Sequence, residues 1–504
     1  MAAPCVDSVR RDDGELVDLL IPSIRRFLAT EVDGSAIDEN SRIPESVRVG
    51  VAELGLFGMT VPETFGGAGF SLWDACRVIA EFGRVDRSVG IMLGLHAGLG
   101  SRGLIEWGSP EFQAVWLPRI AAGECITAFG ATEAGAGSDL MAIRTTGRAI
   151  EGTQNLRIDG EKSYVTNGGF ANLFTLLVRT PGIGGDRGHS LVCVPAGTPG
   201  ISIGKEEHKL GIRGSSTVTV AFENVVVPMS NVLGRPGEGM ELAYKLLAWG
   251  RTLMSAGCAG AAQGALDATV QYVGERKQFG RTIGDFAATR AHVAWMASRT
   301  HAMRALIQET AESQARGESI EVASAVAKVF CSEGAFEACD RAIQLHGAVG
   351  FLESTGVARA LRDCRITRIF EGANDVLLLR IGAATLGVRR ELDVSCLPAL
   401  RESADRVRAF DALLHREMTD LRKRLGVMAV RRQLVLQRVA RAEICARAAA
   451  AAISRARDTE KDISLARHGS TALIEEGAVW LSELGRAERD EASASELSAM
   501  IYGS

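Results

Sequence analysis

Up to about Glu124, apolar residues recur at three- and four-residue intervals, as in LVDLLIPSIRRFLATEV and LWDACRVIAEFGRV, a spacing that predicts amphipathic helices. VPETFGGAGFS interrupts them as a Pro- and Gly-bearing loop. From Cys125 to about Arg235 the pattern changes to β-branched or alternating runs, among them LRIDGEKSYVTNG, NLFTLLVRT, HSLVCVPAG, GISIGKE and STVTVAFENVVVP. Turn residues part these runs, which predicts an antiparallel β domain inserted between helices. Ala-rich helical segments return from Glu238 to about Gly387, enough for a four-helix bundle. The expected fold is therefore α+β: an N-terminal helical domain (1–124), a central antiparallel β domain (125–237), a C-terminal four-helix bundle (238–387) and an extra C-terminal helical segment (388–504).

In that last segment Phe410, Leu414, Met418, Leu421, Leu425 and Met428 follow one helical stripe. The stretch from Arg416 to Arg441 carries eight basic residues against two acidic ones. Two readings stay open for it: a solvated face packed on the bundle, or attraction to an anionic membrane surface. ARAAAAAIS is simply a good helix former, and SASELSAMIYGS reads as a frayed end.

Composition narrows the class of protein. A chain of 504 residues exceeds what one hydrophobic core usually organises. Its 57 basic and 61 acidic residues leave a formal charge of −4, which gives no electrostatic reason to propose nucleic acid as a partner. Ten cysteines are scattered singly, without the spacings of a zinc site or a disulfide framework, and read as reduced core thiols. The opening MAAPCVDSVRRDDGELVDLL lacks the apolar core of a signal peptide and is too acidic for a transit peptide. With no apolar run near the ~18 residues that span a bilayer, a cytoplasmic location is expected.

The chemistry concentrates in a few segments. In FGATEAGAGSDL (129–140) small residues around Gly135 and Gly137 let backbone N–H groups approach a flat or anionic ligand, and Thr132 and Ser138 offer hydroxyls. Lacking a strand–turn–helix context, it is not a dinucleotide fingerprint of the G-x-G-x-x-G kind. RIFEGANDVLLLR (368–380) sets the carboxylate of Glu371 between Phe370 and Gly372. No metal-ligand spacing is present.

FGATEAGAGSD resembles the acyl-CoA dehydrogenase signature, of the form A-x-T-E-P-x-A-G-S-D. KSYVTNGG (162–169), KLGIRGSSTVTVAFENVVVPMSNVLG (209–234), ERKQFGRTIGDF (275–286) and QLHGAVGF leading into ALRDCRITRIFEGANDVL (344–377) match that family in the same order. The resemblance covers nearly all of residues 10–387 and implies FAD-dependent oxidation of an acyl-CoA to the trans-2-enoyl-CoA. Electrons would pass to an electron-transfer flavoprotein. Such chemistry needs a carboxylate in a dry pocket, where desolvation raises its pKa, and donors at the thioester oxygen.

The family places its base either on the E-G-T segment or on an upstream helix ending in E-R. The upstream position here reads Gly250-Arg251, so Glu371 is the one carboxylate offered, and its backbone N–H would help hold the thioester oxygen. The resemblance implies flavin contacts from Phe129, Ala131, Thr132, Gly137, Ser138, Tyr164 and Thr166. Arg276, Phe279, Gln344 and Gly347 would reach the FAD of a neighbouring subunit, which implies a homodimer. Ser138, Arg251, Phe370 and Gly372 would meet the acyl-CoA.

Three positions depart from the pattern. Tyr164 stands where a Trp is usual, Ala348 replaces a Gly, and Ala373 replaces the Thr of E-G-T, leaving Asn374 and Asp375 to supply polar contacts to the cofactor. GVARALRDCRITRIFEGANDVL and the extension after Gly387 resemble the very-long-chain branch, which implies long acyl chains and a peripheral membrane contact through 388–504. An acidic acyl group is set aside, since no extra cation for a second carboxylate is identified. The alternatives are an acyl-CoA oxidase that uses oxygen, and an assembly scaffold of the same fold with vestigial activity.

Overall fold

The computed structural model describes residues 13–184, 188–387, 392 and 394–491. The expected frayed end SASELSAMIYGS, and Cys5, lie outside the described residues. The other nine cysteines are free, and all but Cys396 are buried.

Helices fill the N-terminal part from Asp13–Glu31 to Pro110–Ala121. Two of them build the substrate side of the molecule. The Leu72–Val85 helix is started by Ser71, whose hydroxyl accepts from the Asp74 N–H, and it buries Leu72, Ala75, Cys76, Val78, Ile79 and Phe82. The Arg87–Leu95 helix follows at once, capped by Asp86, whose carboxylate accepts from Val89 N at 3.0 Å.

The sheet runs in the order Ile201–Ile203, Thr217–Pro228, Asn155–Thr166, Thr146–Ala149, Leu173–Arg179, His189–Pro195 and Val232–Leu233. The expected antiparallel pairing holds except around Leu173–Arg179. That strand runs parallel to Thr127–Gly130 and, through Thr146 and Arg179, to Thr146–Ala149. The sheet is therefore mixed. The physical reason is connectivity: a parallel neighbour needs a long crossover, and the chain makes one between Gly130 and Leu173 by way of the loop that carries GATEAGAGSD.

Four helices then form the bundle: Gly239–Glu275, Ala287–Ala315, Glu321–His346 and Asn374–Leu386. The first is buried almost continuously from Leu242 to Ala262, as expected of a helix enclosed by neighbours on every side. Against the bundle pack the helices Arg401–Leu425, Gln433–Ser454 and Glu460–Ser482. A Cβ on Gly382 would lie 2.2 Å from Leu436 O, so the extension meets the bundle backbone to backbone. Phe410, Leu414, Met418 and Leu421 bury the predicted stripe, while Met428 stays 49% exposed. Three of the eight basic residues pair with carboxylates of other elements: Arg424 with Glu488, Arg438 with Glu483 and Arg441 with Glu333, each at 3.0 Å.

Candidate active site

Glu371 lies on the short connection between the Ile366–Arg368 turn and the Asn374–Leu386 helix. Its φ of 55° is a left-handed conformation unusual for a residue with a side chain, and Gly372 follows at φ 100°. Holding a non-glycine residue there costs about 1–3 kcal/mol and requires fixing from outside. Two buried cations supply it. Arg251 Nε donates to Glu371 O at 2.8 Å, and Lys328 Nζ donates to Gly372 O at 2.8 Å, so consecutive carbonyls are held from different helices.

The carboxylate itself is left bare. Glu371 Oε2 is buried with no hydrogen-bond partner. Burial pushes its pKa up from the usual carboxylate range to about 7, against the opposing pull of Arg251 and Lys328. A Cβ on Gly250 would come within 3.1 Å of that oxygen, so the position that the resemblance names as the alternative for a base lies beside the Glu371 carboxylate. Glycine at 250 leaves room for the carboxylate. Arg251 is 3% exposed, and its Nη1 is also unpartnered.

Both residues open onto a cavity of about 340 Å³. Its wall brings together Phe129, Ala131, Thr132, Gly137, Ser138, Tyr164 and Thr166 with Arg251, Phe370, Glu371 and Gly372. Tyr164 is 65% exposed and held at φ 57°. A planar ring system fits this wall: an aromatic face unsatisfied by protein, hydroxyls from Thr132, Ser138 and Thr166, and open space beside Gly137, where a Cβ would meet nothing within 4 Å.

Comparison with known proteins decides the family. Residues 17–124, 128–225 and 237–386 match the N-terminal, middle and C-terminal domains of acyl-CoA dehydrogenases respectively. An acyl-CoA dehydrogenase of Bacillus subtilis is 34% identical over 366 residues, covering 72% of this chain and 96% of that one. The chain belongs to the acyl-CoA dehydrogenase family. The mitochondrial very long-chain specific acyl-CoA dehydrogenase of Bos taurus is 33% identical over 382 residues, 75% of this chain, and the match spans 58% of that relative's length. A solved acyl-CoA dehydrogenase of Bacillus anthracis complexed with FAD superposes with a TM-score of 0.84 at 25% identity, over 98% of this chain and 91% of that one. That coverage includes the C-terminal helices. The family is FAD-dependent.

Within this acyl-CoA dehydrogenase fold, the remaining expected residues fall into two places. Arg276, Phe279, Gln344 and Gly347 do not line the cavity. They gather at one end of the bundle, where Tyr272 stacks on His346 at 4.4 Å and joins the ends of two helices. Phe279 is 92% exposed there. Asn374 is buried. Its amide is turned inward, with Oδ1 accepting from Lys328 Nζ at 2.7 Å and Nδ2 donating to Ser332 Oγ and Glu333 Oε1. Asp375 is exposed in the first turn of its helix.

Sequence reasoning missed the lysines that set these loops. Lys328 is fully buried, and desolvation lowers its pKa to about 8. It reads in sequence as one more helix residue in AVAKVFCSE. Lys162 is likewise buried; it bonds Ala131 O at 3.1 Å and pairs with Glu133 at 2.8 Å. Glu133 also accepts from the N–H groups of Arg144 and Thr145. The glutamate of ATEAGAGSD is thus a clamp that shapes the loop, and a charge in such a motif gives no hint of whether it faces ligand or backbone.

Proposed function

We propose that this chain oxidises an acyl-CoA thioester to the trans-2-enoyl-CoA with bound FAD and passes the electrons to an electron-transfer flavoprotein. The observation that carries the reading is the Glu371 carboxylate: buried, unpartnered and aimed at the space that Gly250 leaves open. A carboxylate with a pKa near 7 is matched to removing a weakly acidic proton at neutral pH.

Phe129, Ala131, Thr132, Gly137, Ser138, Tyr164 and Thr166 would hold the flavin ring. Bound FAD supplies a two-electron acceptor for the hydride that leaves the β carbon. Glu371 takes the α proton onto Oε2. Its backbone N–H is a donor for the thioester oxygen, and Arg251 and Lys328 keep the loop in the conformation that presents both groups. Phe370 and the apolar wall exclude water, which keeps the carboxylate basic.

A homodimer would complete the site. Arg276, Phe279, Gln344 and Gly347 lie outside their own cavity, and Phe279 and Phe351, 92% and 79% exposed, are apolar surface that a second copy would cover. Peripheral membrane contact would use the tip of the extension, where Val427 and Val430 are exposed beside Arg431 and Arg432. The long-chain preference implied by the resemblance is supported by Gly250 and Gly372, small residues in the cavity wall.

Anaerobic addition of octanoyl-CoA to the purified, FAD-loaded protein tests the activity. Bleaching of the flavin followed by electron transfer to an electron-transfer flavoprotein is expected. Prompt peroxide formation on admitting air would instead make it an oxidase.

A further inference from the structure

One wall of the cavity is made by a short stretch of unusual backbone. Between the Arg87–Leu95 and Arg102–Trp107 helices the chain makes a π turn at His96–Gly100, with Ser101 N donating to His96 O at 2.9 Å. A π turn inserts one residue into a helix; it is rare, and where it occurs it is frequently at a functional site.

The turn is wedged from two sides. A Cβ on Gly98 would lie 3.2 Å from Leu253 Cδ1 and 3.5 Å from Gly250 Cα, and a Cβ on Gly100 would lie 2.2 Å from Thr127 Oγ1. Glycine at both positions lets the turn press on the long helix Gly239–Glu275 and on the Thr127–Gly130 strand at once. Between them Leu99 is 4% exposed and lines the cavity. Its Cδ2 and Glu371 Oε2 both crowd the methyl position that Gly250 leaves empty, at 2.7 and 3.1 Å. A leucine side chain therefore stands beside the carboxylate, in space that water would otherwise fill.

His96 locks the turn. It is fully buried: Nδ1 accepts from Thr127 N at 3.0 Å, which places the ring proton on Nε2, and Nε2 donates to Phe57 O at 3.0 Å. Its carbonyl accepts from Ser101 Oγ at 2.7 Å and from Thr127 Oγ1 at 3.1 Å, and Thr175 Oγ1 donates to Gly100 O at 2.8 Å. Burial pushes the His96 pKa down to about 4, so the ring is neutral at neutral pH and bonds through both nitrogens. Thr127 opens the strand that carries Phe129 of the flavin wall, so one imidazole fixes the acyl side of the cavity to the flavin side.

We propose that the π turn keeps water off the catalytic carboxylate: it lays Leu99 over Gly250 beside Glu371, and His96 is the positioning residue that holds it there. This deepens the proposed dehydrogenase activity and rests on it. The turn acts by excluding water and not by charge. His96 is neutral, and Arg102, just beyond the turn, pairs with Glu106 and lies over the Trp249 ring at 3.8 Å. The charges that face Glu371 come from other elements, Arg251 on the long helix and Lys328 on Glu321–His346. Arg87, Tyr164, Tyr244 and Arg380, the last paired with Glu321, line other parts of the cavity. Opening the turn admits water, which favours the ionised carboxylate, so the Glu371 pKa falls from about 7 toward its ordinary value.

The test titrates Glu371 directly in the FAD-loaded protein, by infrared spectroscopy of its protonated carboxyl, with Glu371→Gln subtracting every other acid. In wild type the band should be half lost near pH 7. In Leu99→Ala and in His96→Leu the midpoint should fall by about one pH unit, part of the rise that burial causes. His96→Asn, which keeps an acceptor where Nδ1 stands, should stay close to wild type. An unmoved midpoint in Leu99→Ala would overturn the inference. A His96→Leu protein that melts earlier but keeps the wild-type midpoint would make His96 structural only and overturn its part. If His96→Leu does not fold, His96→Gln, which lacks the Nδ1 acceptor, takes its place with the same expected fall. If no thioester reduces the flavin, the dehydrogenase reading fails by itself, and the infrared titration still decides the role of the turn.

Discussion

Gly250 and Glu371 meet across the acyl cavity: a Cβ at position 250 would stand 3.1 Å from Glu371 Oε2 and 2.7 Å from Leu99 Cδ2. The bare position and the bare carboxylate are two halves of one arrangement. Gly250→Ala should therefore push Leu99 or Glu371 out of place. A loss of at least tenfold in kcat/KM is expected with FAD content unchanged, since small displacements of a reacting group are costly. Steady-state rates with octanoyl-CoA and the flavin-to-protein absorbance ratio check both parts.

The pH dependence follows from the Glu371 pKa. Its ordinary value lies near 4.5 and burial raises it to about 7, so the carboxyl is protonated and inactive below that pH. A profile of kcat/KM should rise about tenfold per pH unit up to pH 7 and level off above it. A midpoint near 4.5 would mean that the carboxylate is solvated in the working enzyme.

Lys328 holds Gly372 O and Asn374 Oδ1, and its charge favours the ionised form of Glu371. Lys328→Met leaves both acceptors short of a donor, a loss of about 1–3 kcal/mol. The melting temperature should fall. The midpoint of the pH profile should also move upward, because an opposing cation has gone. A lower melting temperature with an unmoved midpoint would make Lys328 structural only.

A polar relay ties the extension to the catalytic loop. Arg441 donates to Glu333 at 3.0 Å, Asn374 donates to Glu333 at 3.3 Å, and Asn374 in turn accepts from Lys328. The Arg441–Glu333 pair is partly exposed, so its share is modest. Arg441→Met should lower kcat by roughly two- to fivefold, by the ~0.5–1 kcal/mol such a pair is worth, with KM little changed. Stopped-flow flavin reduction measures it.

The order of helices, strands and helices was legible in the sequence because the apolar period changes from helical to alternating near Cys125 and back near Glu238. The parallel strands around Leu173 were not, because periodicity states which face is buried and is silent on which neighbour a strand takes. Glu371 could be singled out from its flanking residues and from the missing carboxylate at Gly250. Lys328 and Lys162 could not. Each reads as an ordinary charge in its own segment, and only the packing of distant helices and strands shows that it is buried. Asn374 shows the converse: a polar residue in the right segment, turned inward by a lysine 46 positions away in the chain.

The most direct test of the account is anaerobic mixing of octanoyl-CoA with wild-type and Glu371→Gln proteins, each loaded with FAD. Wild type should bleach the flavin. The variant should bind the thioester, seen as a shift of the flavin band, and reduce the flavin at least 10²-fold more slowly, the usual contribution of a positioned base. Reduction of the flavin by Glu371→Gln at the wild-type rate would contradict it.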